Sequence, residues 1–159
     1  MVVVCNSGPL IILSKLGLLE LLQKIFGEIH IPYQVVAELS QSLYSPIQLN
    51  KKWIIVHKLE NDLDLLLKNN LDSGEAEVIS LGLELKADKL IIDERKGRKI
   101  AETVFHFSVI GTCGILIIAK KYKYISDIKP YLLSMKDNGY YISDEIQNLT
   151  LRAANEYLD

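Results

Sequence analysis

One stretch constrains this chain more than any other: Leu71 to Arg98, LDSGEAEVISLGLELKADKLIIDERKGR. Ser73-Gly74-Glu75 predicts a helix start, because Ser offers an oxygen to orphan backbone N–H groups and Glu suits the positive helix end. Ala76, Ile79 and Leu83 then recur on one helical face, which Val78, Leu81 and Leu85 widen. After a turn at Lys86-Ala87-Asp88, the run Leu90-Ile91-Ile92 reads as a short buried strand ending abruptly at Asp93. A dense charged patch, Asp93 to Arg98, follows at once. In an open α/β sheet, ligands gather at the carboxyl ends of the strands. Asp93 is therefore expected where chemistry happens, with Glu75 arriving from the start of the preceding helix.

The rest of the chain continues that alternation. Val2-Val3-Val4-Cys5 is a β-branched first strand, stopped by Asn6-Ser7-Gly8-Pro9, where Asn6 or Ser7 can cap the next helix. Leu10–Leu16 and Leu18–Phe26 read as helices split by Gly17. Ile29-His30-Ile31 is a strand, and Pro32 opens a helix that carries Glu38 beside Leu39. The pattern weakens over residues 41–52, the best candidate for a lid. Trp53–Val56 reads as a strand with edge character, Leu59–Lys68 as a helix, and a helix runs from Arg95 to Val104. Ser108–Ile110 is a strand closed by Gly111-Thr112-Cys113-Gly114. Three helices are expected over Ile115–Tyr124, Ile128–Asp137 and Asp144–Leu158. Such alternation implies an α/β fold with a mainly parallel sheet covered on both faces.

Composition closes several doors. The 159 residues suggest one domain, and a 49% hydrophobic share is ample for a core. A net charge of −2 argues against a high-affinity, non-specific nucleic-acid coat, though not against an enzyme that holds a backbone through metal ions and a few cations. Cys5 and Cys113 form no metal or redox pattern and read as free thiols. The apolar runs are broken by charges before membrane-spanning length, and no signal peptide opens the chain, so a cytoplasmic protein without membrane contact is expected.

Four oxygen-bearing positions stand out: Asn6, Glu38, Glu75 and Asp93. Oxygen ligands suit hard cations, and clustered carboxylates repel one another unless a cation lies among them. The segments VVVCNSGPLIILSKLG, IPYQVVAEL, SGEAEVISLGLELKADKLIIDERKGRKIA and VIGTCGIL together resemble the PIN-domain superfamily over nearly the whole chain, the last two being the most specific. Within it the match looks closest to a prokaryotic PIN-like branch related to the VapC-like toxins of toxin–antitoxin pairs. The resemblance implies a three-layer α/β/α sandwich forming one PIN-like domain over residues 1–159, with C-terminal helices over 127–159 packing on the core. It implies a ribonuclease that uses Mg2+ or Mn2+ to hydrolyse RNA, a homodimer, and an antitoxin protein as a further partner. Glu38, Glu75, Asp93 and Asn6 match the family's catalytic, metal-holding positions. Asn6 stands where the superfamily usually has its first aspartate, and Glu75 where many relatives have aspartate. Asn offers a carbonyl oxygen but no charge, so metal affinity is expected to be lower.

Each residue also has a plainer role. Asn6 is a favoured helix cap; Glu38 and Glu75 are ordinary helix charges; Glu77 turns to another face and is secondary. Arg98 and Lys96 are candidate phosphate contacts, or partners of Glu94 and Glu102. Ser7 and Thr112 are candidate substrate-side groups, or cap and turn residues. His30, His57 and His106 are scattered and receive no role. Lys120, Lys121 and Lys123 suit either an RNA backbone or a helix C-terminus. Tyr122, Tyr124, Tyr140 and Tyr141 read as core rims or a dimer surface rather than base-stacking platforms. Two rivals to a nuclease follow. One is a degenerate PIN-like module that binds RNA or protein without cutting. The other is a phospho-receiver domain, disfavoured because Gly111-Thr112 follows the last strand where a lysine is needed.

Overall fold

A computed structural model describes residues 1–41 and 49–157. In chain order the elements are β1 (Val3–Cys5), α1 (Ser7–Lys15), α2 (Leu21–Phe26), β2 (Ile29–Pro32), α3 (Tyr33–Ser40), β3 (Ile54–His57) and α4 (Leu65–Asn70). There follow α5 (Ser73–Leu85), β4 (Lys89–Ile91), α6 (Arg95–Thr103), β5 (Val109–Ile110), α7 (Thr112–Lys121), α8 (Lys129–Asp137) and α9 (Asp144–Ala153). The strands form one five-stranded sheet in the order β3-β2-β1-β4-β5, every pair parallel. The expected α/β fold and mainly parallel sheet are both observed, and the strand carrying Ile54 does lie at an edge.

Short strands suffice because both faces are covered. Val3, Val4, Cys5, Ile29, Ile31, Leu90, Ile91 and Ile92 are all fully buried, so each side of the sheet carries an apolar load. Helix α5 packs on the sheet through Ala76, Val78 and Ile79. A second apolar cluster joins α7, α8 and α9 to the first two helices, through Leu116, Ala119, Leu132, Met135 and Leu151 against Ile12 and Leu21.

Several boundaries differ from the pattern-based expectation, and at α5 and α4 a side-chain acceptor decides the start. Helix α5 is capped by Asp72, whose Oδ1 accepts from Glu75 N at 2.9 Å; Ser73 is already helical. Helix α4 begins at Leu65 rather than Leu59, because the backbone N–H groups of Glu60 and Asn61 bond the Glu84 carboxylate instead. Helix α2 starts at Leu21, since Leu18 N closes back on Leu13 O around Gly17 at φ +71°. Helix α7 begins at Thr112, three residues early, and α9 ends at Ala153. Of the lid expected over 41–52, residues 42–48 lie outside the described residues.

Topology then brings two of the candidate residues together. From β1 the chain moves outward to β2 and β3, and later returns to β4 on the other side of β1. The boundary between β1 and β4 is where strand order reverses, the position at which open α/β sheets bind ligands. Asn6 follows β1 and Asp93 follows β4, so these two residues flank it.

Candidate metal centre

Asn6 occupies the cap position of α1 with extended backbone, yet its side chain makes no capping bond. The residue is buried, and its Oδ1 has no hydrogen-bond partner among the described residues. The plain capping role is thus not what this side chain does. A buried carbonyl oxygen without a donor costs about 1–3 kcal/mol, so this oxygen is open to a donor or a cation.

Asp93 is the opposite case. Its Oδ1 accepts from Thr112 N at 2.7 Å, and its Oδ2 accepts from Thr112 Oγ1 at 2.6 Å. The Tyr140 hydroxyl also donates to Oδ2. Burial, then the Asp93 charge and this hydrogen bond, hold the Tyr140 phenol protonated far above its usual range. Arg98 lies alongside: a Cβ on Gly111 would be 2.6 Å from Arg98 Nη1 and 2.7 Å from Asp93 Oδ1. Arg98 also faces Glu102 across 3.9 Å, an exposed pair of little energetic weight.

Glu38 reaches in from α3. Its Oε2 accepts from Ser7 Oγ, and its carboxylate lies directly over Gly74, where a Cβ would be 2.8 Å from Cδ. Glu75 is 5% exposed and lies against Gly97, where a Cβ would be 3.2 Å from its Cδ. Its pKa is raised to about 7, by burial first and then by Asp72, Glu94 and Glu38, with Lys96 pulling the other way. All three carboxylates therefore rest against glycines, in space that any larger residue would fill.

The donors fit a hard divalent cation by type: three carboxylates and an amide oxygen. The orphaned Asn6 Oδ1 fits as well. The side chains are not gathered into a ready shell, however. Among the described residues no group of three or more His, Cys, Asp or Glu could hold a metal ion. Ser7 bonds Glu38, while Thr112 and Tyr140 bond Asp93.

The expected substrate-side residues divide. Lys96 is exposed and Arg98 half-buried, both open to a phosphate. Thr112 is fully buried and gives both its N–H and its hydroxyl to Asp93, so it orders a carboxylate and is closed to substrate. Ser7 likewise serves Glu38. Glu77 accepts from Gln34 N at 2.9 Å and caps α3, a structural task.

Two features carried no local signal in the sequence. Tyr140, read as part of a core rim or a dimer surface, reaches Asp93 from 47 residues further along the chain. His30 and His57, read as scattered, meet across β2 and β3 with Nδ1 and Nε2 2.7 Å apart, and Glu28 lies 3.3 Å from the other His30 nitrogen. The β2–β3 register creates that pair. Cys5 is held protonated by burial and then by Asp93, in keeping with an inert thiol. Among the described residues no helix is long and apolar enough to cross a membrane.

A protein-family model described as a PIN domain matches residues 2–156. No curated protein matches the chain.

Proposed function

The chain belongs to the PIN-domain family, and from that premise we propose a cytoplasmic ribonuclease that hydrolyses RNA phosphodiester bonds with Mg2+ or Mn2+. The observation that carries the reading is the buried, unpartnered Asn6 Oδ1 at the switch point of the sheet. An oxygen without a donor, across the β1–β4 boundary from Asp93, is chemistry that a cation completes.

In this reading Asn6, Glu38, Glu75 and Asp93 hold the ion. When bound, it supplies Lewis-acid stabilisation of the phosphoryl oxygens and an activated water. The chain's own residues do the rest. Arg98, beside Asp93, meets the RNA phosphate, and its fork is suited to two oxygens at once; Lys96, two residues earlier in α6, points to a different face and meets the RNA separately. Ser7 keeps Glu38 in place, and Thr112 keeps Asp93 in place. A VapC-like toxin role, with an antitoxin protein as partner and a homodimeric state, is the biological setting that the family resemblance suggests. The exposed apolar side chains of the C-terminal helices, Leu133, Ile146 and Leu149, are compatible with such partners.

The decisive experiment is Mn2+ titration calorimetry on wild type and Asp93→Asn, followed by cleavage of a mixed RNA pool with each. Saturable binding and cleavage in the wild type, both lost in Asp93→Asn, support the reading. A folded wild type that binds no Mn2+ with or without RNA ends it.

One observation favours a second reading, a PIN-like module that binds RNA or protein without cutting. The carboxylates are not assembled into a shell of three, and the first aspartate of the family pattern is Asn6. If only Asn6→Asp cleaves RNA, the native protein is that binder.

A further inference from the structure

We infer that Tyr140 is a positioning residue for the metal-holding carboxylate: its hydroxyl, delivered by the turn between α8 and α9, fixes Asp93 so that Oδ1 is the oxygen left open. The inference rests on the proposed metal site. It adds an element from the C-terminal helical pair that the four-residue constellation does not contain.

The delivery is built from backbone outward. Helix α8 ends with Gly139 N bonded to Lys136 O and Tyr140 N bonded to Met135 O, both at 2.9 Å, and Gly139 stands at φ +78°. This is a Schellman closure, with glycine at the left-handed position and Tyr140 as the residue after it. The backbone of Tyr140 is thereby fixed by a hydrogen bond to the helix it follows. Its ring packs against the cluster formed by Leu132, Met135, Leu116 and Leu151. With backbone and ring both held, the hydroxyl reaches Asp93 with little freedom left to lose.

A carboxylate has about four lone-pair positions. Thr112 Oγ1 and the Tyr140 hydroxyl take both on Oδ2, and Thr112 N takes one on Oδ1. The remaining position is on Oδ1, the oxygen that also shares the space over Gly111 with Arg98 Nη1. Thr112 alone would hold one edge of the carboxylate and leave Oδ2 able to accept another partner. The phenol saturates that oxygen. Partners that orient a ligand in this way are generally worth 10–100-fold in metal affinity.

The test is Mn2+ calorimetry on wild type, Tyr140→Phe and Tyr141→Phe, with circular dichroism and a melting curve for each. Tyr140→Phe keeps the ring and removes the hydroxyl. Tyr141 is its exposed neighbour and serves as the control. The expected result is a 10–100-fold rise in Kd for Tyr140→Phe, with unchanged stoichiometry and no change for Tyr141→Phe. A second variant, Gly139→Ala, strains the left-handed turn and displaces the phenol without deleting it; it should raise Kd in the same direction. Wild-type binding with Tyr140→Phe and Gly139→Ala both within two-fold, while folded, overturns the positioning role and leaves the metal site standing. A folded wild type that binds no Mn2+ overturns the metal site itself, and this role with it.

Discussion

Glu38 occupies space that only a glycine at position 74 can leave free: a Cβ there would lie 2.8 Å from Glu38 Cδ. The carboxylate end of Glu38 is flexible, so Gly74→Ala should displace Glu38 rather than unfold the protein. Alanine is favoured over glycine inside a helix by about 1 kcal/mol, and Gly74 is the second residue of α5. The expected outcome is a melting temperature equal to or above wild type, with Mn2+ affinity reduced at least ten-fold. Calorimetry and thermal melts on one preparation check both halves. A fall in stability with affinity intact would show that Glu38 is not seated as described.

Asn6→Asp should make stability depend more strongly on the cation. Without metal, an ionised carboxylate at this buried, unpartnered position costs more than the about 1–3 kcal/mol of a neutral group. With Mn2+ at a hundred times Kd, binding returns about 2.7 kcal/mol. Melts in EDTA and in Mn2+ should therefore differ more for Asn6→Asp than for wild type. Equal differences would show that position 6 does not touch the ion.

Much of the architecture was legible from periodicity. β-branched runs gave the strands, and the β4–Asp93 junction announced the carboxyl end of the sheet, where the candidate residues gather. Asn6, Glu38, Glu75 and Asp93 could be singled out because each follows a strand or stands on a helix next to one. What sequence could not carry was partner choice across long separations. Asp72 displaced Ser73 as the cap of α5 because two adjacent residues are both good caps and only packing decides between them. Glu84 drew residues 60 and 61 out of the helix that their leucine-rich surroundings suggested. Thr112 and Tyr140 find Asp93 only after β4, β5 and the C-terminal helices have docked. The His30–His57 contact likewise depends on strand register, which no residue of either strand states alone.

Glu156 gives a pH prediction. Its carboxylate accepts from Ile128 N at 2.8 Å and Lys129 N at 3.2 Å, and Lys120 Nζ lies 3.1 Å away. Burial pushes its pKa up, but these donors outweigh burial and the net shift is downward. A lowered carboxyl pKa means stability that is present above the unfolded value near 4.5 and lost as pH falls through the folded one. Glu156→Ala should cost about 1–3 kcal/mol at pH 7, and the gap to wild type should close in strong acid. Denaturant titrations at pH 7 and pH 3 check this; a constant gap would contradict it.

The histidine pair predicts a separate transition. Burial first, then His57, lowers the pKa of His30, with Glu28 opposing. A lowered histidine pKa makes stability complete above about 6.5 and lost as pH falls further. Between pH 7.5 and 5.5, before most carboxylates titrate, the wild-type melting temperature should fall. His57→Ala removes the neighbouring charge but not the burial, so the fall should become shallower. An unchanged slope would show that the two rings do not share their protons.

The contact between Tyr140 and Asp93 also sets a schedule. The residues are 47 apart, and synthesis proceeds from the N-terminus at roughly 5–20 residues per second. A growing chain therefore carries Asp93 for about 2–9 s before Tyr140 has been made. During that interval the aspartate, its strand and its helix can already be present while the phenol is not. The nascent protein and the finished one thus differ at the carboxylate itself: until Tyr140 has been made, one of the hydrogen bonds that hold Asp93 cannot form.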